Sequence, residues 1–293
     1  MSEIILNSAS SQAVLLPHRG GLITSLTLAG HKKILWLPEN FDPSSSAWPG
    51  GGLPFLFPFA GRVQNQGELY KYALDEEIYP MPIHGFSWAT SWTAKSTSED
   101  RVTLILKSDD TSKSIYPFDF DIQMTIAISA RKLDVDVTVS HIKNTQKPRH
   151  AKMPVALGWH PYFALHGSSN IVEIPAQTVF PVTAQGLAGK PMPASQFLGP
   201  QPFSLPNEKL QSLILSDLSS NACELRSGAS ESLTIEAGPS DLMKHIVTWT
   251  NEPDVFHCVE PWMSRPDAVA TPTGCRWLDP GESLKAWLQI SGR

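Results

Sequence analysis

Cysteine is scarce. The 293 residues hold three, Cys223, Cys258 and Cys275, and none belongs to a CxxC pair. An odd, scattered set argues against a disulfide framework and fits a reducing cytoplasm. Charge is low, at 17% of residues with a net of −5, and no basic stripe stands out, which argues against nucleic-acid binding. Long apolar runs are missing, so no segment approaches the roughly 18 residues of a membrane helix. The first ten residues lack the charged and apolar regions of a signal peptide. No amphipathic helix of a dozen residues survives the proline punctuation. Several chemical signatures are absent too. No GxGxxG follows a strand pattern, and there is no P-loop and no GxSxG, which argues against dinucleotide, nucleoside-triphosphate and hydrolase-elbow sites. Neither HxH nor HExxH occurs, so no metal site is expected.

What the chain has is a period of two. Leu133, Val135, Val137 and Val139 alternate with polar residues. Successive side chains of a strand point to opposite faces, so this segment buries one face and wets the other. The same pattern runs through Val102–Leu106, Ile122–Ile128 and Leu284–Ile290. Shorter strands are expected at Leu22–Leu28, Ile34–Leu37, Ile171–Ile174 and Leu233–Glu236. With 25 Pro, 19 Gly and 41% hydrophobic residues, the composition predicts many short elements around a sizeable core. Half-wet alternating strands make antiparallel sheets, and this many predict an all-β sandwich. Neither Asn40–Gly52 nor Gln185–Pro206 reads as a linker, so residues 1–293 are expected to form one domain, with Gln185–Pro206 a long surface excursion.

Four segments carry candidate chemistry. An apolar, proline-broken run, Leu53 to Gly61, ends in Arg62, whose planar fork of donors suits a ligand with several oxygens. His84-Gly85-Phe86 sets a histidine beside glycine and aromatics. Trp159-His160-Pro161-Tyr162 holds a second histidine between stiff neighbours, and histidine exchanges protons near neutrality. Val259-Glu260-Pro261-Trp262 places a carboxylate in apolar surroundings, which raise its pKa. Read from residues alone, a buried structural histidine, a structural ion pair and a sugar site all remain open. Nine tryptophans serve equally as core or as a sugar-stacking surface.

These four segments, with Pro280-Gly281-Glu282 near the end, resemble the aldose 1-epimerase (mutarotase) family, in the right order over nearly the whole chain. The resemblance implies a large antiparallel β-sandwich that interconverts the α and β anomers of a hexose or hexose derivative by acid–base ring opening and reclosure. It implies Glu260 as base, His160 as acid, Arg62 and His84 as sugar-binding residues, and no metal or organic cofactor. The expected partner is a small-molecule sugar, with no nucleic acid and no membrane, and the protein a monomer or homodimer. The family's sugar-binding aspartate maps to Asp217, with Asp241 as rival. Many members carry Asn before the arginine, where this chain has Gly61. Relatives acting on hexose 6-phosphates need further cations, for which Arg19, Lys71 and Arg265 are available. A non-catalytic sugar binder is the other alternative. A glycoside hydrolase would want a second carboxylate in a motif.

Overall fold

The computed structural model describes residues 3–31, 33–143, 150–228, 231–271 and 274–293. Two large antiparallel sheets form a β-sandwich. The first has nine strands, in the order Phe203–Leu205, Asn170–Glu173, Ala222–Ser227, Glu231–Gly238, Ser283–Gly292, Lys132–His141, Phe120–Ser129, Arg101–Lys107 and Thr93–Thr97. Its register explains the alternation in the sequence. Val135 faces Ile126 on one side and Leu288 on the other, and Val137 faces Met124 and Ala286. Apolar rows therefore coincide across neighbouring strands and sink together. Each such side chain contributes about 1.5–3 kcal/mol when fully buried.

The second sheet has eight strands. Met192–Pro193, Ala176–Pro181, Ser212–Leu218, His245–Trp249, Phe256–Trp262, Gly158–Trp159 and Phe55–Leu56 follow one another, and Tyr162–Ala164 also pairs with Phe256–Trp262. One face of this sheet buries Leu213, Leu215, Ile246 and Val259 in the core shared with the first sheet. The other face carries Ile214, Val247, Glu260 and Trp262 and is the floor of a cavity. A three-stranded sheet, Ile4–Ser8, Ser11–Leu16 and Leu22–Thr27, completes the main architecture.

Two expectations need correction. Ile34–Leu37 is no strand: Leu35 makes one isolated bridge, to Phe163. Gln185–Pro206 is more than an excursion. It holds the helix Ala194–Leu198, and Phe203–Leu205 closes one edge of the nine-stranded sheet. Its proline content hid an edge strand, a place where a missing N–H donor is tolerated. Among the described residues no helix is long and apolar enough to cross a membrane.

Candidate active site

The cavity has a volume of about 700 Å³, within the usual range for small-molecule sites. Arg62, His84, His160 and Glu260, drawn from four distant segments, all line it.

Local backbone fixes the first two. His84 N–H donates to Gly61 O at 2.8 Å, and Gly61 N–H donates to His84 Nδ1 at 3.1 Å. This reciprocal pair ties the loop carrying Arg62 to the loop carrying His84. It also sets the histidine tautomer. Nδ1 is an acceptor, so the proton sits on Nε2, which is left as a donor. Burial, and then the charge of Arg62, push the His84 pKa down to about 3, so the ring is neutral at ordinary pH. The turn is strained, with His84 at φ +64° and Gly85 at φ +74°. A Cβ on Gly85 would lie 1.9 Å from Phe57 O. Gly85→Ala is therefore expected to cost about 3 kcal/mol, the sum of left-handed strain and overpacking against backbone. Urea unfolding checks this, and an unchanged midpoint would contradict the close approach.

Arg62 is packed against backbone. A Cβ on Gly186 would come within 2.0 Å of Arg62 Nη1, so the guanidinium lies flush on that turn. Its Nε is buried and has no hydrogen-bond partner. Among the described residues no carboxylate pairs with it, and its guanidinium carbon lies 5.9 Å from the Tyr70 ring centroid.

His160 and Glu260 form the buried end. His160 N–H donates to Pro54 O at 3.0 Å, and the ring stacks on Tyr162 with centroids 4.7 Å apart and planes 12° apart. Trp48 Nε1 donates to Tyr162 Oη at 3.0 Å, which steadies the stack from the loop above. Trp48 also stacks on His84 at 4.9 Å. Glu260 lies in a strand with every residue buried, and its Oε2 is 3.3 Å from His160 Nε2. Neither Glu260 oxygen completes a hydrogen bond, although the Trp262 indole N–H lies close enough to oppose the effect of burial on its pKa, and His160 Nδ1 is buried without a partner. Burial drives the Glu260 pKa well above the carboxylate range. Burial, and then the neighbouring His84, drive that of His160 well below the imidazole range. Both shifts favour the neutral forms of the two side chains.

Asp217 does not join them. Ser212 and Ile214 of its strand line the cavity, and Ser216 bonds His245 Nδ1 at 2.6 Å, while Asp217 lies one residue out of that alternation. Its backbone turns to φ +55°, its side chain is exposed, and Thr178 donates to it at 2.5 Å. Asp241 is exposed on a turn and does not line the cavity either. Trp48, Thr183, Gly186 and Trp249 also line the walls, and none of them stood out in the sequence. Period two would have found Trp249, two residues beyond Val247 on one face. Loop positions such as Trp48 carry no such signal.

Of the other cations, none lines the cavity. Arg19 Nη2 donates to Ala47 O at 2.8 Å, which pins the Trp48 loop. Lys71 is exposed and pairs with Glu68 at 2.6 Å. Arg265 lies 4.3 Å over the Phe180 ring.

The cavity thus brings together a buried histidine–glutamate pair, an arginine, a second histidine and aromatic walls. A galactose mutarotase-like protein from Lactobacillus casei ATCC 334, 22% identical, superposes with a TM-score of 0.80 over all of both chains. The Slr1438 protein of Synechocystis sp. PCC 6803, also 22% identical, gives 0.82 over 99% of this chain and 95% of that one. At these identities the likeness establishes the fold. A protein of Escherichia coli K12, named provisionally as a glucose-6-phosphate 1-epimerase, is 29% identical over 106 residues, which span 35% of this chain and 32% of that relative. Residues 3–291 match the sequence profile of the aldose 1-epimerases, and the protein belongs to that family.

Proposed function

We propose that the protein is a mutarotase that interconverts the α and β anomers of an unphosphorylated hexose. The 3.3 Å approach of His160 Nε2 to Glu260 Oε2, with the remaining hydrogen-bonding capacity of both side chains unused, carries this reading. A sugar entering the cavity brings the hydroxyls that these groups lack. Those contacts offset desolvation and allow the shared proton to move from Glu260 to His160. Glu260 then removes the proton from the C1 hydroxyl while His160 protonates the ring oxygen. The C1–O5 bond breaks, the aldehyde turns about C1–C2, and reclosure with the reverse transfers gives the other anomer. Arg62 and His84 Nε2–H steady charge developing on the sugar oxygens, at a place where water is largely excluded. Trp48, Trp249 and Trp262 offer faces to the sugar's C–H groups.

The E. coli relative brings a second reading, a hexose 6-phosphate as substrate. Among the described residues Arg62 is the one Lys or Arg lining the cavity, while Glu252 and Glu260 are both there. A phosphate dianion would meet a single cation, so a neutral sugar is favoured. Polarimetry of α-D-glucose and α-D-galactose, corrected for spontaneous mutarotation, tests the function. A sugar that binds while its rotation decays at the spontaneous rate would make the protein a binder only. For glucose 6-phosphate, kcat/KM is expected to be at least ~10-fold lower, about 1.4 kcal/mol. The opposite order would favour the phosphate reading.

The two proton transfers need no electron sink. Prolonged EDTA treatment followed by desalting should leave the rate undiminished. Activity lost to the chelator and restored by a divalent metal would sink the metal-free scheme.

A further inference from the structure

Cys258 lies two residues before Glu260 on the same strand and so on the same face. Its thiol is fully buried beside Tyr162 and Phe256 and takes no part in the proposed chemistry. Donor atoms of Cys258, Glu260 and His160 all lie within 4.8 Å of one another. Glu260 carries a second sign of an open coordination sphere: at 1% residue exposure neither of its oxygens completes a hydrogen bond, and Oε2 lies 3.3 Å from His160 Nε2.

We propose that His160 Nε2, Cys258 Sγ and Glu260 form a site for one thiophilic divalent cation, with zinc as the probe, and that its occupancy switches the enzyme off. Zinc takes imidazole nitrogen and carboxylate oxygen at about 2.0–2.2 Å and thiolate sulfur at about 2.3 Å, which sets tetrahedral ligand–ligand edges of about 3.3–3.6 Å. The His160–Glu260 edge is already 3.3 Å. The donor atoms lie within 4.8 Å of one another, so Cys258 Sγ needs to close by roughly 1.2 Å at most to complete the face. His160 and Glu260 line the cavity, so the metal has an entry path and its fourth position opens where the sugar would sit. On binding, the thiol and carboxyl protons leave to solvent, His160 gives its Nε2 lone pair and keeps its proton on Nδ1, and nothing is oxidised. The bound cation occupies both the acid and the base. Zinc is therefore an inhibitor that competes with sugar, a statement that rests on the function proposed above, whereas the binding itself does not.

Titration of metal-free protein with zinc, in competition with a chromophoric chelator, and with cobalt(II), read by thiolate-to-cobalt charge-transfer absorption, separates the two. One metal per chain and a charge-transfer band are expected. Cys258→Ser should abolish the band and weaken zinc at least ~10-fold, while Cys223→Ala and Cys275→Ala keep both. The mutarotation rate of the wild type should fall in step with occupancy through a raised apparent KM, and Cys258→Ser should stay active and resist zinc. Absence of the band in the wild type overturns the site whatever becomes of the variants, as does a band that survives Cys258→Ser. Should no sugar be turned over, the absorption and stoichiometry still decide the metal site. A metal that binds as described without slowing mutarotation would overturn the switch.

Discussion

Glu260→Gln is expected to fold normally and to lose at least ~10²-fold in mutarotation, the scale of a lost general base. Glutamine keeps the shape and fills the same buried place in the strand, but it has no basic oxygen to take the C1 hydroxyl proton. The variant has a second readout in stability. The folded protein holds the Glu260 proton more tightly than the unfolded chain does, because burial raises its pKa. That stabilisation is complete below the ordinary carboxylate pKa and is lost as pH rises through the raised folded value. Glutamine cannot ionise, so urea unfolding of the variant should lack this alkaline decline. A folded Glu260→Gln protein with near-normal rates would remove Glu260 from the mechanism.

His160→Asn should lower kcat by ~10²-fold or more with a much smaller change in KM. Asparagine still donates a hydrogen bond toward the ring oxygen, so part of the ground-state contact survives. It has no proton to hand over, so the barrier to ring opening rises, and a loss felt mainly in kcat marks an interaction made in the transition state. Polarimetry over a range of sugar concentrations separates the two constants. A variant with raised KM and unchanged kcat would make His160 a binding residue. His84 could not simply inherit the role of acid, since its Nδ1 is tied to Gly61 and burial keeps its ring neutral.

The sandwich was legible from a local rule, and the segments that bring Arg62, His84, His160 and Glu260 to the cavity stood out by composition, while their roles were implied by the family resemblance. Alternation exposed the strands of the nine-stranded sheet, and a histidine or glutamate among aromatics and prolines stood out against its surroundings. Asp217 lies away from the cavity because it has the opposite parity to Ser212 and Ile214 on its strand, a register the sequence alone does not reveal. Trp48 was invisible for another reason. Its place over His84 and Tyr162 depends on a loop held by Arg19, nearly thirty residues upstream, and no spacing rule couples those positions. Ile34–Leu37 had the composition of a strand but finds one isolated bridge, and Phe203–Leu205 had an unpromising composition but found an edge.

The cavity floor is one face of a sheet whose other face is core, and this divides the molecule's capacity for change. A floor residue such as Val247 or Glu260 has sequence neighbours, Ile246 and Val259, that are locked into packing, so the backbone beneath the chemistry has little freedom to shift. The walls are different. Trp48 and the Thr183–Gly186 turn sit on connecting segments whose length and sequence can be rewritten without disturbing the sheet. Selection or an engineer reshaping the cavity would therefore find more room for change at the walls than on the floor.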